Sequence, residues 1–126
     1  MTDNLKEFTR ACFDALYFTE TGEGDDQPKS NAKVDKEARL DLNADCRSWW
    51  KRFGCYVLAD SCICTRGSER YTKAGQAGHD FWLTRNGHGA GFWDGDWSEN
   101  YADLLSKGAE AYGKVDVFDD GGKINF

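Results

Sequence analysis

At 126 residues, with 40 % apolar and 14 % aromatic residues, the chain can bury one core without disulfide or metal staples, and this excludes a wholly disordered protein. No apolar run approaches the roughly 18–20 residues that a membrane-spanning helix needs. The net charge of −6 is gathered in one place: residues 94–120 hold eight acids against two bases, while the remainder balances at fourteen of each.

A surface of that kind repels nucleic acid and suits a basic partner, although solubility alone is also a sufficient use for it. The start, MTDNLKEFTR, lacks the basic and then apolar regions of a signal peptide, so a cytoplasmic protein is expected. In that compartment the five cysteines (Cys12, Cys46, Cys55, Cys62 and Cys64) stay reduced, and their odd number speaks against a closed disulfide framework. One domain over 1–126 is expected, with an exposed acidic loop at 20–35.

The first element is a helix over LKEFTRACFDALYF, where Leu5, Phe8, Cys12, Ala15 and Leu16 form one stripe at three- and four-residue spacing. Asn4 and Glu7 suggest a capping box at its start. TETGEGDDQPKSNAK, with the only proline, breaks the periodicity. A second helix is expected from Lys36 to Phe53, with Leu42, Cys46, Trp49, Trp50 and Phe53 on one face and Gly54 closing it. CYVLADSCICT fits a strand or a continued helix equally, and RGSERYTKAGQAG reads as a turn-rich connector.

Between Gly75 and Trp97 lie three of five tryptophans, both histidines and six of fourteen glycines. Asn86-Gly87 between two aromatic runs predicts a two-residue hairpin turn. That register sets Phe81 against Phe92, Leu83 against Ala90 and His79 against Asp94, and it places Trp82 across from Gly91 with Trp93 on its diagonal. Asp96 and Glu99 then suggest a capping box opening a helix to Tyr112, which Gly113 ends. KVDVFDDGGKINF predicts a last hairpin turning at Asp120-Gly121, with Val117 facing Ile124 and Val115 facing Phe126. The fold class that follows is α+β: an antiparallel sheet of two hairpins with about three helices packed on one face, in the order α-α-β-β-α-β-β.

Three chemistries compete for these residues. His79, Asp80, His88 and Asp94 could centre a small hydrolase-like enzyme or a metal protein, since a histidine beside carboxylates can act as a general base. No nucleophile is fixed near them, and the C-x6-C-x-C spacing of Cys55, Cys62 and Cys64 lacks the paired geometry of common zinc modules. Cys12 and Cys46 read as small hydrophobes. Gly87 to Gly89 lies within the expected hairpin and is no nucleotide fingerprint, and there is no phosphate loop. The Trp82 and Trp93 face could be a binding platform or core. No catalytic residue, metal or cofactor is therefore expected, and the partner-binding candidates are Trp82, Trp93, Asp94, Asp96, Trp97, Glu99 and Asp103.

AGHDFWLTRNGHGAGFWD, followed by AYGKVDVFDDGGKI, resembles a family of small uncharacterised proteins encoded by bacteriophages and prophages, over about Gln76 to Phe126. Members usually carry Arg after the F-W-D; Gly95 stands here, which leaves this surface more acidic. The resemblance brings no catalytic residues. It implies a stoichiometric inhibitor in the host cytoplasm, directed at host defence in the manner of an anti-CRISPR protein. Its partner would be a host protein or ribonucleoprotein complex with a basic surface, with no direct contact to nucleic acid or membrane. An accessory structural phage protein is the further alternative.

Overall fold

The structure, a computed structural model, describes residues 2–65 and 71–126. Among the described residues it contains four helices, α1 (Asp3–Glu20), α2 (Lys36–Val57), α3 (Lys73–Asn86) and α4 (Glu99–Glu110), and one antiparallel pair, β1 (Phe118–Asp120) and β2 (Lys123–Asn125). The expected α+β sheet of two hairpins under three helices is therefore corrected. The protein is mostly helical, and its sheet is a short ribbon near the C-terminus. Of the connector expected over 66–78, residues 66–70 lie outside the described residues, and from Lys73 onward it is helix α3 and not a connector.

α1 buries the anticipated stripe, Leu5, Phe8, Cys12, Ala15 and Leu16, together with Ala11. Its cap is Thr2, whose hydroxyl accepts the Leu5 amide at 3.2 Å, in place of the expected Asn4 box. α2 begins at Asp35, whose carboxylate accepts the Glu37 amide at 3.1 Å. It runs through Gly54, so Cys55 to Val57 belong to the helix, and the Leu58 amide still bonds the Gly54 carbonyl at 3.0 Å.

The largest correction is at 79–86, which forms the second half of a helix rather than the first strand and turn of a hairpin. Thr72 caps it by accepting the Gly75 amide at 3.1 Å. Gly87 takes the left-handed conformation (φ 67°), its amide bonds Thr84 O and the His88 amide reaches Leu83 O at 3.1 Å. That pair of bonds is the Schellman motif that ends helices. Asn-Gly supplies the left-handed glycine that a tight hairpin and a helix C-terminus both need, so the dipeptide alone does not separate them. A helix sets Phe81 and Trp82 about 100° apart instead of on opposite faces. Both are fully buried.

The last hairpin forms with its turn moved by one residue, to Gly121-Gly122. Phe118 pairs with Asn125, Asp119 with Ile124 and Asp120 with Lys123, which replaces the expected pairs of Val117 with Ile124 and Val115 with Phe126. The reason lies on the other edge of β2. Ile124 donates to Lys33 O (2.9 Å) and accepts from the Asp35 amide (2.8 Å), forming a parallel bridge with Val34. A residue whose own amide and carbonyl point away from its hairpin partner must occupy a non-hydrogen-bonded pair, and that is the place Ile124 takes opposite Asp119.

The core is aromatic and drawn from several elements. Trp49 of α2 lies between Phe8 of α1 (ring centroids 5.1 Å, 13°) and Phe92 (5.5 Å, 10°). Phe81 of α3 tilts against Phe8 and Trp49 at 5.6 and 5.5 Å. α1 packs most extensively on α3. Their approach is close because Gly78 faces the Phe8 carbonyl: a methyl group there would sit 2.7 Å from the carbonyl carbon and overlap its oxygen.

The helical ending at Gly87 yields a direct test. No atom lies within 4 Å of where its Cβ would be, so Gly87→Ala is penalised by backbone conformation alone. Urea unfolding should show a loss of about 1–2 kcal/mol, and Gly87→Asn should recover part of it because asparagine tolerates this conformation. An unchanged midpoint for the alanine variant would contradict the left-handed cap.

Candidate functional site

The segment from Gly87 to Ser98 joins α3 to α4 and carries most of the residues that the sequence singles out. Its shape is set from α3. The Thr84 hydroxyl accepts the Phe92 amide at 3.1 Å, which turns the Phe92 ring into the core. Asp94 ties the loop across itself, one carboxylate oxygen accepting the Gly91 amide (3.2 Å) and the other the Asp96 amide (3.4 Å). Trp97 then enters the core, edge-on to Phe92 at 5.4 Å. Outside, the loop is pinned by an antiparallel bridge between Cys64 and Trp97, with the Thr65 amide bonded to Asp96 O (2.6 Å) and the Ser98 amide to Ile63 O (2.8 Å). The Ser98 hydroxyl accepts the Ile63 amide at 2.7 Å, so it holds this bridge and caps nothing. Neither Asp96 nor Ser98 supplies the side-chain cap expected at α4.

These contacts divide the three tryptophans. Trp82 is fully buried and its indole N–H donates to the Thr19 hydroxyl on α1 at 2.9 Å. Trp97 is buried and donates to the Asp80 carboxylate at 2.7 Å. Trp93 stands outside with 54 % of its surface exposed. Of the expected binding residues, Trp93, Asp94, Glu99 and Asp103 are thus at the surface, Asp96 is half-buried, and Trp82 and Trp97 are core. Helical spacing gathers the acids of α4: Glu99, Asp103 and Glu110, all exposed, fall within about 40° of one another around its axis. Lys107 lies beside them and bridges Asp103 at 3.1 Å, a pair so exposed that it leaves the stripe's character unchanged.

The residues proposed for acid–base or metal chemistry do not converge. His79 has Asp80 as its chain neighbour, with Nδ1 3.9 Å from a carboxylate oxygen, whereas His88 lies 3.9 Å from Glu20. The His79–Asp94 pairing required the hairpin register and is lost with it, since Asp94 serves backbone amides. Asp80 is fully buried and accepts from Trp97 and from Gln76 Nε2 (3.3 Å), so its carboxylate organises the core. His79 does line a cavity of about 530 Å³ together with Asp14 and Tyr71, where the Tyr71 hydroxyl donates to Asp14 at 3.1 Å. Among the described residues, no three of His, Cys, Asp and Glu come together as a metal-ligand set.

Burial holds two of the cysteine thiols protonated. Burial first, and then the adjacent Cys46 thiol, push the Cys12 thiol well above its ordinary range. Burial also raises Cys62, against the opposing charge of Lys73. A raised thiol stays protonated and is a poor nucleophile.

Sequence reasoning missed Arg85, which is buried and clamps three elements. Its guanidinium donates to Asp45 of α2 (2.9 Å) and to the Tyr112 (2.9 Å) and Gly113 (2.8 Å) carbonyls beyond α4, and it lies over the Phe81 ring at 5.3 Å. The signal was present: Ala74, Ala77, Gly78, Phe81 and Arg85 keep the three- and four-residue spacing of a helix.

No family model matches this chain, nor does any curated protein or solved structure.

The division of the tryptophans predicts unequal substitutions. Trp97→Phe leaves a buried carboxylate short of one donor and should lower the unfolding free energy by about 1–3 kcal/mol. Trp93→Phe should stay within about 0.5 kcal/mol of the parent. Equal effects in urea titration would mean that Trp97 is not the anchor of this loop.

Proposed function

We infer that this chain is a stoichiometric protein-binding inhibitor, of the anti-defence kind that bacteriophages encode. It acts in the host cytoplasm on a protein or ribonucleoprotein with a basic, nucleic-acid-binding surface. The observation that carries this reading is Trp93: a large aromatic ring left outside by a loop that buries its neighbours Phe92 and Trp97, next to exposed Asp94 and leading into the acidic stripe of α4. An exposed tryptophan is the residue type most enriched among binding hot spots, and surrounding charges of one sign speed and select encounter with a partner of the opposite sign. The phage setting rests on the resemblance of the segment AGHDFWLTRNGHGAGFWD.

Binding can be tested without disturbing the fold. Glu99, Asp103 and Glu110 are exposed and bond nothing in the core, whereas the Asp94 carboxylate holds the loop and half-buried Asp96 lies within it, so both are left in place. The triple reversal to Lys should cost no more than about 1 kcal/mol, mostly from placing a cation at a helix start. With the partner recovered from a bacterial lysate, the reversed variant should associate at least about tenfold more slowly at low salt, and the deficit should shrink as salt rises. Trp93→Ala should speed dissociation instead, as expected of a desolvated anchor. The partner's activity should fall to its floor at one equivalent. Inhibition far below one equivalent would indicate turnover, and unchanged association of the reversed variant at every salt concentration would reduce the acidic stripe to a solubility device.

A further inference from the structure

A second feature shares no residue with the acidic face. Between α1, α2 and the segment leading to β2's partner Val34 lies a cavity of about 460 Å³, within the range of small-molecule sites. Its apolar wall is Phe13, Tyr17 and Val34. Around it stand Lys6, Arg10, Lys33 and Arg39, and none of the described residues lining it is acidic. In a chain with a net charge of −6, four cations converging on one apolar hollow need a reason. Internal pairing does not supply it. Among the described residues Lys6 and Lys33 have no ion pair, and Arg39 spends one N–H on the Val34 carbonyl at 3.3 Å. Only Arg10 meets a carboxylate, that of Glu7 at 3.0 Å, and it does so at the surface.

Thr9, also on the wall, adds a second observation: its buried hydroxyl bonds nothing among the described residues. Threonine in a helix has two accessible rotamers, so the hydroxyl can turn toward a bound oxygen with no internal hydrogen bond lost.

We propose that this cavity binds an organic phosphate with an apolar ring, the ring lying against Phe13 and Tyr17 and the phosphate held by Lys6, Lys33 and Arg39. Four cations exceed what one carboxylate neutralises and suit a dianion. Guanidinium matches phosphate oxygens in a two-point fork, and the long lysine stems let their ammonium groups close over the headgroup while the methylenes cover the ring.

Calorimetry with 1-naphthyl phosphate tests this on the whole chain. One equivalent should bind, and 1-naphthol (ring without charge), inorganic phosphate (charge without ring) and 1-naphthoate (one negative charge) should each bind at least about tenfold more weakly. Lys6→Gln with Lys33→Gln, both exposed, should weaken naphthyl phosphate by at least about tenfold while leaving the urea midpoint in place. Absence of binding, or an undiminished affinity in the double variant, would overturn the proposal. Equal affinity for naphthol would reduce the site to an apolar hollow, equal affinity for inorganic phosphate to non-specific anion attraction, and equal affinity for naphthoate would refute the phosphate assignment.

Discussion

The backbone of α3 rests on the backbone of α1 at Gly78, where only a hydrogen fits against the Phe8 carbonyl. Much of the molecule's geometry depends on that crossing. It brings the Phe8 and Phe81 rings to 5.6 Å and lets both meet Trp49, which joins α2 to the pair. It also carries the Trp82 indole to Thr19 near the end of α1, a hydrogen bond of 2.9 Å that fixes how α3 is rotated about its own axis. The buried alanines Ala11 and Ala15 on α1 and Ala74 and Ala77 on α3 keep the same approach free of bulk along the two helices. Close packing of this sort rewards dispersion contacts but has no slack, because a backbone carbonyl cannot swing aside as a side chain can.

The rotation of α3 in turn decides what the following loop presents. With α3 fixed, Thr84 receives the Phe92 amide, and Asp80 receives the Trp97 indole. Both anchors pull alternate parts of the loop inward, and Trp93 is what remains outside. The exposed ring is a consequence of buried hydrogen bonds on either side of it. Arg85 performs the same service for the C-terminal segment: it fastens the Tyr112 and Gly113 carbonyls to α3 and α2. A buried arginine with several acceptors costs desolvation that its bonds offset only when the geometry is satisfied, so it selects one arrangement more than it adds stability.

The stripes of α1 and α2 are legible because each has an interrupted apolar pattern of helical period. The aromatic core could be anticipated from composition. The segment Gly75 to Asn86 escapes a helical reading because it is buried nearly all round, which erases the contrast between faces that periodicity needs, and because its two glycines look like loop or strand breakers. Gly75 and Gly78 are helical residues here, present for closeness rather than for bending. The slip of the last hairpin has another cause: the bond partner of Ile124 is Lys33 to Asp35, some ninety residues earlier, and no local rule sees it. At the candidate surface, Glu99 and Asp103 could be placed from sequence. The separation of Trp93 from Trp82 and Trp97 could not, because it rests on tertiary hydrogen bonds to Thr19 and Asp80.

The dependence of the fold on the α1–α3 crossing is tested most directly by the unfolding free energy of Gly78→Ala. In an ordinary helix interior this change stabilises by about 1 kcal/mol, since alanine is the better helix former. Here the added methyl meets backbone, so the account predicts the opposite sign and a loss of about 3 kcal/mol or more, at or beyond the usual cost of overpacking a core. A Gly78→Ala variant as stable as the parent, or more so, would show that the helices do not cross in this way, and the placement of Trp93 that follows from the crossing would fall with it.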